Sequence, residues 1–158
     1  MEDREVSRRI VDHLQLSGAA FRELEHEPTP TSEESARVRG EPLAVGGKAI
    51  VLKAGAFFGL FVLSAARRLD SRKVKARLRV RDLRFATPEE LFELTGLVPG
   101  AVPPFGRPVL PLELYVDESV LQNDRVAFNA GSLTRSIVMS REDYLRAACP
   151  RAVFDFSR

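Results

Sequence analysis

Three short stretches hold residue types that could do chemistry. The first is 44–53, where the pair Gly46-Gly47 precedes Lys48 and an apolar run. Glycines allow close backbone approach, and a lysine at the mouth of a buried strand puts a charge where a strand interior prefers none. Such a lysine either anchors an anionic group or snorkels to solvent along its aliphatic stem. The second is 96–106, with three glycines and three prolines in eleven residues. That segment can be neither helix nor central strand, and its apolar composition fits a loop that lines something. The third is the turn Asn129-Ala130-Gly131-Ser132.

Other familiar chemistries are missing or weak. There is no Gly-x-Ser-x-Gly elbow, and Lys48 is followed by Ala49, so no Walker-type phosphate loop is present. Cys149 is the only cysteine. It excludes an internal disulfide and a cysteine zinc cluster, and its place at a helix end before Pro150 reads as a packed, inert thiol. His13 and His26 are too unrelated in position for a histidine metal site. No metal and no cofactor are expected. His26 lies beside a proline loop and either faces a pocket or serves as a hydrogen-bonded structural residue. The acidic pairs Glu33/Glu34, Glu89/Glu90 and Glu142/Asp143 fall in helix first turns, where the macrodipole accounts for them.

The elements that must position these stretches can be read in order. Val6, Ile10, Val11 and Leu14 give an amphipathic helix over about 3–17, and the core runs over about 21–156. Residues 21–24 read as a short strand. Thr31 or Ser32 caps a helix that Gly40 closes. Residues 48–53 and 57–64 are apolar strands turned at Gly55, a pattern of strands covered on both faces. A basic helix occupies 70–80. A strand at 84–86 leads into a helix whose start carries Thr87, Pro88 and Glu90. Strands follow at 112–117, 125–129 and 136–139, then a helix capped by Ser140 and an edge strand at 152–156. Within 112–117, Glu113, Tyr115 and Asp117 alternate with Leu112, Leu114 and Val116. The reading is a single α+β domain over 1–158, with a mixed or antiparallel sheet of six to seven strands and surrounding helices.

Composition agrees with a soluble domain. The chain has 158 residues, 44% hydrophobic and 29% charged, with a net charge of +2. No run of 18 or more apolar residues is present, so no membrane span is expected. The charged start, Met1-Glu2-Asp3-Arg4-Glu5, is unlike a signal core and argues for the cytoplasm. The net charge is mild, but Arg67, Arg68, Arg72, Lys73, Lys75, Arg77, Arg79, Arg81 and Arg84 crowd one segment. That patch is either a phosphate-binding surface or a solvated helix face.

Taken in order, these features resemble the YbaK/aminoacyl-tRNA editing family, which includes the prolyl-tRNA synthetase insertion domain and free-standing trans-editing relatives. The resemblance rests on His26 with Thr31-Ser32 and Ala36, Gly47-Lys48-Ala49 before an apolar strand, and Leu69-Asp70-x-x-Lys73. It continues through Phe85-Ala86-Thr87-Pro88-Glu89-Glu90-Leu91, then Thr95-Gly96 and the loop carrying Gly100, Val102, Pro104, Phe105 and Gly106. Tyr115-Val116-Asp117 and Asn129-Ala130-Gly131-Ser132 complete it.

The resemblance implies a trans-editing deacylase that hydrolyses the ester of a mischarged aminoacyl-tRNA, by water attack on a positioned ester without metal or covalent nucleophile. It implies Lys48, Gly100, Ala101 and Asn129 as catalytic positions, with Lys48 on the terminal ribose-phosphate and the backbone N–H groups of 100–104 facing the reacting carbonyl. It implies His26, Thr31, Ser32, Gly47, Val102, Pro104, Phe105, Gly131 and Ser132 as substrate-binding positions. Some members carry a histidine on the late strand where this chain has Asn129, which can hydrogen-bond but cannot act as a base near neutral pH. The partner is the 3′ end of aminoacyl-tRNA, with an aminoacyl-tRNA synthetase as a second candidate. The alternative is a non-catalytic module of the same fold that binds a tRNA end, a nucleotide or a partner protein; a hydrolase for another acyl or nucleotide ester is a third reading.

Overall fold

Val6, Ile10 and Leu14 recur at helical spacing and are wholly buried along one face of helix α1 (Asp3–Leu16). The structure, a computed structural model, describes residues 3–158; Met1 and Glu2, where the charged N-terminal stretch begins, lie outside the described residues. Strand β1 (Phe21–Glu25) leads through a proline-containing loop to α2 (Ser32–Arg39). Thr31 is its N-cap, accepting from the Glu34 N–H at 3.2 Å, and Gly40 ends it in the left-handed region at φ 68°.

The apolar run then folds back on itself. Strands β2 (Gly47–Ala54) and β3 (Phe57–Ser64) pair antiparallel along their whole length, from Gly47 opposite Ser64 to Ala54 opposite Phe57. Helix α3 (Ser71–Leu78) starts on its Asp70 cap, and β4 (Leu83–Phe85) pairs with the end of β2. Helix α4 (Pro88–Thr95) opens with a full capping box between Thr87 and Glu90. After the glycine–proline loop come β5 (Glu113–Asp117), β6 (Arg125–Asn129), β7 (Arg135–Ser140), α5 (Arg141–Ala148) and β8 (Ala152–Phe154). Among the described residues, no helix is long and apolar enough to cross a membrane.

The α+β class is as expected, but the strands divide differently. Among the described residues, eight strands form two sheets: an antiparallel β1-β7-β6 and a mixed β4-β2-β3-β5-β8, in which β3, β5 and β8 run parallel. The two sheets meet at one parallel bridge, between Gly46 and Ala127. Alternation along a strand reports which faces are covered, not which partner lies alongside.

Both faces of β5 are covered. Leu114 and Val116 enter the main core, which gathers α1, α4, α5 and the 97–112 loop. Tyr115 lies in a second cluster under α3, stacked on Phe61 at 4.9 Å between ring centroids. Asp117 is buried and accepts from the Phe156 N–H (2.6 Å), the Ser119 N–H (3.0 Å) and the Ser157 hydroxyl (2.7 Å). Cys149 is exposed, not packed: it is the left-handed residue that ends α5, at φ 46°, and its side chain is turned away from the core.

The glycine pair is explained by packing between the sheets. A Cβ on Gly47 would lie 3.0 Å from Val126 Cγ1, and one on Gly46 would lie 3.0 Å from Ala65 Cβ and 3.3 Å from the Leu43 carbonyl. The close backbone approach expected here is therefore to the protein itself. Gly47→Ala is expected to destabilise the fold by about 1–2 kcal/mol through overpacking. Combining it with Val126→Ala should recover part of that loss, a non-additivity that urea denaturation of the double-mutant cycle would measure.

Candidate active site

The start of β2, the first turn of α2, the end of β6 and the Gly100 bend converge on one cleft of about 80 Å³. Sites for drug-sized ligands run to about 300–1,000 Å³, so this cleft admits a small group. Its rim carries Thr31, Ser32 and Lys48, and its depth carries Arg39, Asn129 and Val102.

Lys48 is half-buried at the mouth, and its ammonium donates to the Arg67 carbonyl at 2.9 Å. Burial pushes its pKa below the usual lysine value; Glu33 partly offsets this and Arg68 adds to it. The β2 pleat aims Lys48 away from the main core, while Gly46 and Gly47 let the strand lie close enough to β6 for the cleft to close beneath it.

The floor is a hydrogen-bonded network. Asn129 stands at the end of β6 and donates from Nδ2 to the Gly100 carbonyl at 2.8 Å. Its Oδ1 accepts from Arg39 Nη2 at 2.9 Å. Arg39 Nε donates to Ser136 Oγ at 2.9 Å. The Ser136 hydroxyl lies 3.2 Å from Asn129 Oδ1 and 2.7 Å from His26 Nε2, so its single proton serves one of them at a time. His26 Nδ1–H donates to the Glu27 carbonyl at 2.8 Å. These bonds tie α2, β6, β7 and the Gly100 bend into one unit, and they leave the Asn129 amide with its acceptor side occupied.

The bend itself is braced from behind. Gly100 has φ 90°, and a Cβ there would approach Leu133 at 3.2 Å. The Ala101 N–H donates to the Val98 carbonyl at 3.1 Å. Pro104 offers its carbonyl to the buried Tyr144 hydroxyl at 2.7 Å, and desolvation raises the Tyr144 pKa far above that of a free phenol. Phe105 is buried against Phe128 and Tyr144, with ring centroids at 5.4 and 5.3 Å.

The structure thus brings together Gly47, Lys48, Thr31, Ser32, Gly100, Val102 and Asn129 around the cleft. It places the other named residues elsewhere. Ala101, Pro104 and Phe105 are packed behind the bend. Gly131, at φ 79°, lies against Val6 and Ser7 of α1. Ser132 closes the β6–β7 turn by accepting from the Thr134 N–H at 3.1 Å. His26 supports the floor through Ser136 and is not part of the lining. Residues the sequence reading missed are Thr29, Ser35, Arg39 and Ser136. The signal for one face of α2 was present: Ser32, Ser35 and Arg39 recur at i, i+3 and i+7. Among the described residues, no three His, Cys, Asp or Glu side chains gather as a metal-binding group.

A small cleft lined by hydrogen-bond donors, with a lysine at its mouth, is suited to holding an activated acyl group while water attacks. The chain belongs to the aminoacyl-tRNA editing domain family, which matches residues 26–147. Over 151 residues it is 35% identical to the multifunctional Ser/Thr-tRNA deacylase ProXp-y of Escherichia coli (strain K12), covering 92% of this chain and 89% of that protein. Its fold is shared with the crystal structure of a trans-editing enzyme for prolyl-tRNA synthetase, so described as a provisional assignment, at TM-score 0.82, 30% identity and 97% of each chain. A crystal structure of a hypothetical protein matches at TM-score 0.84 and 25% identity, over 94% of this chain and 99% of that one.

Asn129→Ala is expected to release the Gly100 bend. Hydrogen exchange at residues 98–102 should speed up, and global stability should fall by about 1–3 kcal/mol because the Gly100 carbonyl and Arg39 lose a partner.

Proposed function

We propose that the cleft receives the aminoacyl group at the 3′ end of a mischarged tRNA, with the terminal nucleotide at its mouth, and that the chain is a cytoplasmic trans-editing deacylase that hydrolyses the ester. The observation that carries this is the pairing of Lys48 at the mouth with a donor-lined floor in a cleft of about 80 Å³. Lys48 sits where a terminal phosphate would enter, and a compact ammonium suits a phosphate as a point charge. Gly100 and Val102 line the cleft and their backbone N–H groups have no acceptor within the described residues, whereas the Ala101 N–H is already engaged. An aminoacyl ester is activated enough for positioned water to attack once the developing oxyanion is stabilised.

The amino acid accepted is small. A cleft of this size suits a short side chain, and the Ser/Thr-tRNA specificity in the relative's name fits a polar floor. Size alone discriminates weakly, about 1–3 kcal/mol per methylene, whereas hydrogen bonding to a hydroxyl discriminates more sharply.

The tRNA body has a surface to meet. Lys73 pairs with Asp155 and Arg84 with Glu90, but among the described residues Arg67, Arg68, Lys75, Arg79 and Arg81 have no carboxylate partner. They run from the mouth of the cleft, where the Arg67 carbonyl holds Lys48, along and past α3. The same surface favours a second reading, a binding module without turnover. A synthetase partner would bring its own contacts to the tRNA.

Deacylation of a panel of mischarged seryl-, threonyl-, alanyl-, cysteinyl- and prolyl-tRNAs tests the activity. At least one should be hydrolysed, Lys48→Ala should lower its rate by about 100-fold, and Lys48→Arg should not restore it. No turnover on any tRNA, with a known deacylase active in the same assay, would refute the enzyme reading. In a binding assay, Arg68→Glu with Arg79→Glu should weaken tRNA affinity and flatten its salt dependence by about two charges.

A further inference from the structure

Arg39 is a cation without a counterion. It ends α2 and lines the cleft, yet among the described residues no carboxylate pairs with it. Glu41, two residues on, is held instead by Arg125 in a fork of 2.8 and 2.9 Å contacts. Burial lowers the Arg39 pKa to about 10, with Glu41 only partly offsetting it. Keeping a desolvated guanidinium charged is costly unless something compensates it.

Its donors are only partly used. Nε–H goes to Ser136 and one Nη2–H to Asn129, which leaves both Nη1–H groups and the second Nη2–H of the guanidinium unassigned. Asn129 has spent its acceptor on Arg39 and one N–H on Gly100, leaving one more donor. The floor therefore offers donors and positive charge to whatever occupies it. A substrate's α-ammonium is repelled from it, and an oxygen gathering negative charge is drawn to it.

Resting on the deacylase reading above, we propose that Arg39 is a catalytic residue that stabilises the oxyanion formed at the acyl carbonyl. In that step the water oxygen bonds to the carbonyl carbon and the π pair moves onto the carbonyl oxygen, which becomes the oxyanion. The attacking water loses a proton to solvent. When the carbonyl re-forms, the ribose oxygen leaves with the C–O bonding pair and takes up a proton from solvent, and the amino acid departs with its carboxyl group. Two observations place the oxyanion at Arg39 and not at Lys48. Arg39 is bonded through Asn129 to the Gly100 bend that faces the reacting group, while Lys48 sits at the mouth. Arg39 also has three guanidinium N–H groups without an assigned acceptor, whereas the Lys48 ammonium is engaged by the Arg67 carbonyl.

The test compares two inert aminoacyl-adenosine analogues, one a planar amide and one an anionic tetrahedral phosphonamidate, alongside turnover of a mischarged tRNA. Wild-type protein is expected to prefer the anionic analogue. Arg39→Gln, which keeps donors but removes the charge, should abolish that preference, leave affinity for the amide within about threefold, and lower kcat by about 100-fold with little change in KM. Ser136→Ala keeps the guanidinium and should keep the preference. If Arg39→Gln does not fold, as judged by its melting transition, Arg39→Lys decides, since it should retain a reduced preference through its charge. Unchanged preference in Arg39→Gln, or equal loss of both analogues, overturns the assignment. A wild-type protein that turns over tRNA but shows no anionic preference also overturns it and leaves the deacylase reading intact. An Arg39-dependent preference without turnover on any tRNA upholds the anion site and refutes the deacylase reading.

Discussion

The distance between two sheets governs the site. Strand β2 belongs to the larger sheet and β6 to the smaller, and they touch where Gly46 bridges Ala127 and Gly47 lies against Val126. Lys48 comes from one side of this contact and Asn129 from the other. A side chain at 47 would press on Val126 of the facing sheet, and one at 46 would press on Ala65 and the Leu43 carbonyl beside the same contact, so either substitution shifts the strand that carries Lys48. The side-chain bonds of the floor, 2.8–2.9 Å long from Asn129 and Arg39, weaken when their geometry is disturbed. The glycines act on the chemistry indirectly, by fixing the gap across which the polar groups face each other.

Charge in the cleft is organised by segregation. Glu41 is the acid best placed to neutralise Arg39, and Arg125 takes it instead, holding its pKa below the ordinary carboxylate value chiefly by hydrogen bonding. Lys48 is likewise satisfied by a carbonyl and not by a carboxylate. Two cations therefore sit in one small cleft without an internal anion, an arrangement that stabilises an arriving negative group more than it stabilises the empty fold.

Much of this was legible in the sequence, and the limits have physical causes. Helix starts carry local chemistry, so Thr31, Asp70, Thr87 and Ser140 mark boundaries without reference to the rest of the chain. The β2–β3 hairpin is equally local. The hairpin of 125–129 with 136–139 is local too and forms as its turn predicts, but the sheet division was not legible, because nothing in that hairpin says whether it joins β2 or pairs apart with β1. Phe105, Gly131 and Ser132 sit in a motif-bearing order, yet their surroundings are set by α5 and α1, distant in sequence. Arg39 drew no notice beside Gly40, which closes the helix. Its meaning depends on Ser136 and Asn129, and nothing within α2 announces them. Cys149 misled for a related reason: an apolar residue at a helix end was read as inward, but a left-handed cap turns its side chain out.

The pairing of β1 with β7 bears on how the site comes into being. Phe21 lies opposite Met139, so the smaller sheet cannot be completed until almost the whole chain is available, whereas the β2–β3 and β6–β7 hairpins can each zip from their own turn. Contacts this distant in sequence close late, because loop entropy opposes them until other contacts have drawn the ends together. Ser136 and Asn129 face each other across the local β6–β7 hairpin, but the contacts that join them to Arg39, to the Gly100 bend and to the strand of Lys48 are distant in sequence. A chain that has only its central hairpin already displays Lys48 but has no floor beneath it. Assembly of the cleft therefore coincides with completion of the fold, and a partly folded intermediate has no competent site with which to act on correctly charged tRNA.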